Sequence, residues 1–129
     1  MAKQTLHVTS PDNFHATVAQ ALATNDPVFV TFISNVGADG QLWCPDCRTS
    51  EPIFAKVFDS LPNYCLVQCS IPRDGYKGNP DHPYRLDKQI LLKSIPSLVA
   101  WKNDSQVMLR PEDDCTVLEK VSAFVNANL

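Results

Sequence analysis

Apolar residues recur along this chain in two rhythms, one suited to strands and one to helices. Leu6 and Val8 alternate with polar neighbours, which predicts a short first strand. Ser10-Pro11-Asp12 then has the form of a helix start, with Ser10 as cap and Pro11 in the first helical position. Phe14, Val18, Ala21 and Leu22 follow at helical spacing, so that helix has one apolar face, and Asn25-Asp26-Pro27 ends it. Residues 28–33 are apolar except for Thr31 and rich in β-branched side chains, as in a central strand covered on both faces. A loop over 35–41, with Gly37 and Gly40, leads to a helix expected from about Cys44 into Phe58. Pro52 inside that helix lacks a backbone donor and is expected to kink it.

Residues 64–71 predict a second buried strand. The segment 72–83 is polar, rich in Pro, Gly and Asp, and too long for a tight turn; such a connection is often functional. Residues 84–93 predict a short helix with Leu86, Ile90 and Leu91 inward. Strands over 97–102 and 106–110 flank a hairpin turn at Asn103-Asp104-Ser105. The last helix is expected from Asp113 or Asp114, with Val117, Leu118, Val121, Phe124 and Val125 on one side. The order β-α-β-α-β-α-β-β-α places the chain in the α/β class, as one domain over 1–129. Its first part favours parallel strands joined by right-handed crossovers, and the closing hairpin adds an antiparallel edge.

The bulk numbers narrow the function. The chain has 129 residues, 44% of them hydrophobic and 19% charged, which suits a globular protein with a real core. A net charge of -3 without a basic patch argues against nucleic acid as a partner. No apolar run has membrane-spanning length, and residues 1–7 lack the apolar stretch of a secretory signal. The 5 cysteines are an odd number, and with no signal stretch and a sizeable core a disulfide framework is not needed. A reducing cytosol is therefore the expected compartment, where a disulfide is more often catalytic than structural.

The chemistry concentrates in Trp43-Cys44-Pro45-Asp46-Cys47. Two cysteines three positions apart span one turn when a helix starts at the first, so their sulfurs can join or part with little backbone movement. A buried strand, a loop and then Cys-x-x-Cys opening a helix is the setting of a redox dithiol. A thiolate at Cys44 would face unpaired backbone N–H groups and the positive end of the helix dipole, which makes it the candidate nucleophile. Cys47, one turn further in, is the candidate resolving thiol. The plain alternative is two ordinary buried thiols.

This order, with Trp-Cys-x-x-Cys at the head of the second helix, resembles the thioredoxin-like superfamily. Pro52 matches its motif-helix proline, and Ile95-Pro96 before the strand at Ser97 matches its cis-proline site. Pro45-Asp46 between the cysteines, Glu51-Pro52, the enlarged loop before Trp43 and the Tyr76/Pro80 segment are similar to a specialised thioredoxin-related branch, since ordinary thioredoxins have Gly-Pro there. The resemblance implies a cytosolic, monomeric disulfide reductase with no bound cofactor. Its redox-active disulfide is Cys44–Cys47, and electrons come from NADPH through thioredoxin reductase as partner. The implied substrates are small disulfides such as cystine and selected disulfide-containing proteins.

By the same resemblance Trp43 covers one side of the sulfurs, while a cis Ile95–Pro96 bond presents a backbone edge beside Cys44. Pro45 suits the first turn because its missing N–H had no partner there. Asp46 reads equally as a solvated first-turn residue and as a specificity determinant that repels acidic partners. The resemblance also exposes a departure: many thioredoxins bury an Asp beneath the motif, and the aligned residue here is Thr31. The proton of Cys47 then goes to water or to Asp46.

Other polar candidates have plainer readings. Cys65, Cys69 and Cys115 are read as packing residues. Cys65 and Cys69 could join the motif cysteines around zinc, but their spacing is wrong for a second Cys-x-x-Cys pair. Cys115 has a weaker reading as a regulatory thiol. His82, Arg85, Arg73 and Lys77, with Asp74 and Asp81, read as a solvated loop in preference to substrate contacts. Two other functions stay open: a binding or redox-regulatory module on the same scaffold, and a glutathione-dependent glutaredoxin, which the Trp43 context disfavours.

Overall fold

Five strands and four α-helices carry the chain in the computed structural model, which describes residues 3–129; Met1 and Ala2 of the expected 1–129 span lie outside the described residues. The elements are β1 (Lys3–Val8), α1 (Phe14–Leu22), β2 (Val28–Ser34), α2 (Pro45–Asp59), β3 (Tyr64–Ile71), α3 (Pro83–Leu86), β4 (Ser97–Trp101), β5 (Gln106–Met108) and α4 (Leu118–Ala127). Single 3₁₀ turns at Pro11–Asn13 and Glu112–Thr116 precede α1 and α4. The sheet order is β1-β3-β2-β4-β5. β3 runs parallel to both β1 and β2, whereas β4 is antiparallel to β2 and β5 antiparallel to β4. No helix among the described residues is long and apolar enough to cross a membrane.

Period-two alternation sorts the strands between two helical layers. Phe29 meets Phe58 of α2, with ring centroids 5.4 Å apart, so Phe29, Thr31 and Ile33 face α2. Phe32 meets Phe14 of α1 at 5.7 Å and Tyr84 of α3 at 5.0 Å, so the even positions of β2 face the other layer. All seven residues of β2 are buried, as the unbroken apolar run predicts for a central strand. Each fully buried Val or Phe contributes about 1.5–3 kcal/mol relative to an exposed one. The sheet is what fixes the C-terminal end of β2, where the motif lies.

Three expectations change. Residues 84–93 do not form one helix: α3 stops at Leu86, and Leu91 takes a φ of 48°. Leu86 and Leu91 are 58% and 52% exposed, while Ile90 and Leu92 are buried. Helical spacing assigned the inward face wrongly because the chain turns after one helical turn. The last helix is likewise divided: residues 112–116 form a 3₁₀ turn, Val117 is extended and 39% exposed, and α4 starts at Leu118. Three acidic residues in that turn favour a helix start, but the extended Val117 interrupts it. The last strand ends at Met108, short of Arg110. Ser10 caps its turn as expected, its hydroxyl accepting from Asp12 N–H.

Candidate functional site

The motif helix begins where its sequence says it should. Cys44 is the extended N-cap residue of α2 (φ -95°, ψ 120°), and Pro45 and Asp46 fill the exposed first turn. Pro52 lies inside the helix, on its exposed side, and α2 continues through it. The two thiols sit unequally. Cys44 is half-buried, whereas Cys47 is fully buried. All five cysteines are free thiols in this structure.

Ser34, the last residue of β2, ties both cysteines to the sheet. Its hydroxyl accepts from Cys44 N–H at 3.2 Å, and its own N–H donates to Cys47 Sγ at 3.4 Å. Burial pushes the Cys47 thiol up to about 12; the neighbouring Cys44 adds to that rise and the Ser34 N–H opposes it. Cys47 is thus held protonated behind the more accessible Cys44. The sequence reading stopped the strand at Ile33 and missed Ser34. The available signal was a hydroxyl closing an otherwise apolar strand just before the motif.

Two walls stand near the motif. On one side the Ile95–Pro96 bond is cis, both residues are buried, and Cys44 Sγ lies 3.7 Å from the Ile95 carbonyl oxygen. The second wall starts at Trp43, the residue before Cys44, which is half-buried; its Nε1–H donates to Ile71 O at 2.8 Å. The loop before it is ordered by a Val36–Leu42 bridge and by Gly40, whose φ of 82° suits glycine. Arg48 Nε donates to Leu42 O at 2.6 Å and ties that loop to α2. Between this loop and residues 72–77 runs an open groove of about 770 Å³, reaching Trp43 and Pro45 and lined by Arg48, Arg73, Lys77, Asp39 and Asp74.

The solvated-loop expectation for 72–85 holds only in part. Arg73, Asp74, Lys77 and Asp81 are exposed, but Tyr76 and His82 are buried. Tyr76 packs at 6.3 Å from the Trp43 ring and 5.2 Å from the His82 ring, and the Arg85 guanidinium lies 4.1 Å over its face. His82 caps α3, with Nδ1 accepting from Tyr84 N–H at 3.1 Å. Burial, then the Arg85 charge, pulls the His82 imidazole below its usual value. The alternating Tyr and His positions gave no readable period inside a segment rich in Pro and Gly.

Beneath α2, Thr31 is buried opposite Gln68 in the register of β2 and β3. It lines a cavity of about 190 Å³ together with Glu51 of α2. Cys65, Cys69 and Cys115 are buried, and burial pushes the Cys69 and Cys115 thiols up to about 12. Cys65 and Cys69 lie on the sheet face opposite α2, away from the side of Thr31 and Gln68. Among the described residues no group of three or more His, Cys, Asp or Glu is placed to hold a metal.

A half-buried cysteine capping a helix, a buried partner one turn in and an X-Pro backbone edge beside them define a thioredoxin-fold dithiol protein. The likeness to solved structures agrees: Schistosoma mansoni thioredoxin matches with a TM-score of 0.64 at 16% identity, covering 98% of this chain and 96% of that one. Residues 7–126 match the family model described as thioredoxin domain-containing protein 17-like, thioredoxin domain. The chain belongs to that family, within the thiol-disulfide oxidoreductases of thioredoxin type. The thioredoxin-like protein Clot of Oryza sativa is 28% identical over 95 residues, 70% of this chain and 68% of that protein. Thioredoxin domain-containing protein 17 of Homo sapiens is 24% identical over 105 residues, 81% of this chain and 80% of that protein.

Proposed function

We propose that the chain is a disulfide reductase in which Cys44 attacks and Cys47 resolves. The observation that carries this reading is the inequality of the two thiols: Cys44 is reachable at the head of α2, while Cys47 is buried and kept protonated behind it. The Cys44 thiolate attacks one sulfur of the substrate; the substrate S–S bond breaks and its second sulfur leaves as a thiolate. Cys47 then gives up its proton and attacks Cys44 Sγ, releasing the first substrate sulfur. The dithiol loses two electrons and becomes the Cys44–Cys47 disulfide. Thioredoxin reductase restores it with electrons from NADPH.

Trp43 and the Ile95 carbonyl bound the approach to Cys44, with Pro45 and Asp46 at its solvent side. Thr31 cannot act as a carboxylate base, so the Cys47 proton leaves to water or to Asp46. The substrates in this reading are small disulfides such as cystine, with selected protein disulfides as further substrates; the groove between the two loops reaches Trp43 and Pro45 beside the motif. The working compartment is the cytosol and the working form a monomer.

The test is NADPH consumption with thioredoxin reductase, using cystine and insulin as terminal disulfides. Turnover of cystine well above insulin supports the specialised reductase, and Cys44→Ser should abolish it. Equal turnover of both makes the protein a general thioredoxin. No turnover, with both thiols reduced and Cys44 reachable, removes the reductase reading in favour of a binding or redox-regulatory module.

A further inference from the structure

The two walls beside Cys44 come from segments far apart in sequence, and one side chain joins them. Arg85, in the single turn of α3, donates from Nη1 to Lys93 O at 2.9 Å. From Nη2 it reaches Tyr76 O at 3.5 Å, and its guanidinium carbon stacks 4.1 Å over the Tyr76 ring. Tyr76 in turn packs against Trp43, the residue before the nucleophile. Lys93 lies two residues before Ile95, whose carbonyl meets Cys44 Sγ. One guanidinium therefore spans from the tryptophan wall to the backbone wall.

Several facts set this arginine apart from a surface charge. It is half-buried, and its Nε is buried with no hydrogen-bond partner. The ion pairs among the described residues, His15–Asp87 and Arg110–Glu112, do not include it. A partly buried cation with no carboxylate costs desolvation energy that carbonyls and a ring face only partly offset. Its planar fork, with donors toward two carbonyls and a face for stacking, suits joining two segments in a way that a point charge does not.

We infer that Arg85 is a positioning residue for disulfide attack, fixing the Trp43–Tyr76 wall relative to the Lys93–Ile95 wall so that a disulfide meets Cys44 in line. This rests on the reductase reading above. Attack on a disulfide needs the three sulfurs aligned, whereas alkylation by a small reagent needs only a reachable thiolate. Loss of the fork should therefore separate the two reactions.

The experiment compares, on pre-reduced protein, the second-order rate of reduction of bis(2-hydroxyethyl) disulfide with that of Cys44 alkylation by iodoacetamide. Both are measured across pH for the unaltered chain, Arg85→Lys, Tyr76→Leu and the double variant. Arg85→Lys keeps the charge and loses the fork. It should slow disulfide reduction by about tenfold, a modest loss for a misplaced reactant, and leave the alkylation rate and its pH profile unchanged. Tyr76→Leu should do the same, and the double variant should lose no more than either alone, because both break one connection. A fully active Arg85→Lys, a parallel fall in both rates, or additive losses would each overturn the inference. Should Arg85→Lys fail to fold, Tyr76→Leu carries the same comparison. If the unaltered chain reduces no disulfide, the reductase reading falls and this inference with it; if it does so and Arg85→Lys matches it, the inference falls alone.

Discussion

Replacing Ser34 by Ala removes one hydroxyl from a fully buried position at the end of β2. That hydroxyl is the acceptor for Cys44 N–H at 3.2 Å. A neutral hydrogen bond is worth about 1 kcal/mol net, and an orphaned buried donor costs about 1–3 kcal/mol. Because Cys44 is half-buried, water can reach part of this site, which places the loss near 1–2 kcal/mol. An unfolding entropy of about 2.1 cal/mol/K per residue over this chain length converts that to a fall in Tm of roughly 4–7 °C. The assay is a calorimetric melt of the reduced protein in excess reductant. The Ser34 backbone N–H still donates to Cys47 Sγ in the variant, although the hydroxyl's own contact with that thiol is lost; Cys47 stays fully buried, so it should stay protected from alkylation in the native state. An unchanged Tm would refute the reasoning, since it would mean that the Cys44 N–H needs no protein acceptor.

Other consequences are open to simple measurements. The Cys69 and Cys115 thiols are raised by burial from 9.0 to about 12, so both states hold their protons below pH 9 and the full stability is present there. Between 9 and 12 the unfolded chain releases protons that the folded chain keeps, and stability falls by about 1.4 kcal/mol per pH unit for each thiol. Urea melts from pH 8 to 10.5 should show this slope, and Cys69→Ala or Cys115→Ala should flatten it; an unaltered slope in both variants counts against the burial argument. Phe14→Ala removes a ring packed at 5.7, 5.6 and 5.3 Å from Phe32, Tyr84 and Trp101, for an expected loss of about 3–5 kcal/mol. Leu86→Ala, at an exposed site that helical spacing would turn inward, should lie within about 0.5 kcal/mol of the unaltered chain, and a large loss there would contradict the observed end of α3.

What could be read from the chain, and what could not, follows from the range of the interactions involved. β2 and β3 announce themselves because a strand covered on both faces needs a short, mostly apolar run rich in β-branched residues, broken here only by Thr31 and Ser34 in β2 and by Gln68 and Ser70 in β3. The motif was legible because Cys-x-x-Cys, Pro45 and Pro52 act within one helix. Ile95–Pro96 was legible only through resemblance, since nothing local marks its contact with Cys44. Ser34, Tyr76 and Arg85 could not be read, because each acts through a partner from a distant segment: Cys44 across the loop, Trp43 across β3, Lys93 across α3. The inward face of 84–93 was misassigned for a related reason. Periodicity extrapolates a helix until something local stops it, and here the Leu92 N–H bonds back to Tyr84 O across the turn.

The central claim is the division of labour between Cys44 and Cys47, and a trapping experiment tests it most directly. Cys47→Ser, reduced and then exposed to a disulfide substrate, should accumulate a mixed disulfide, and peptide mass spectrometry should locate it on Cys44. The unaltered chain under the same conditions should hold a Cys44–Cys47 disulfide and no adduct. An adduct on Cys65, Cys69 or Cys115, or none on a Cys44 that still alkylates freely, would contradict the account.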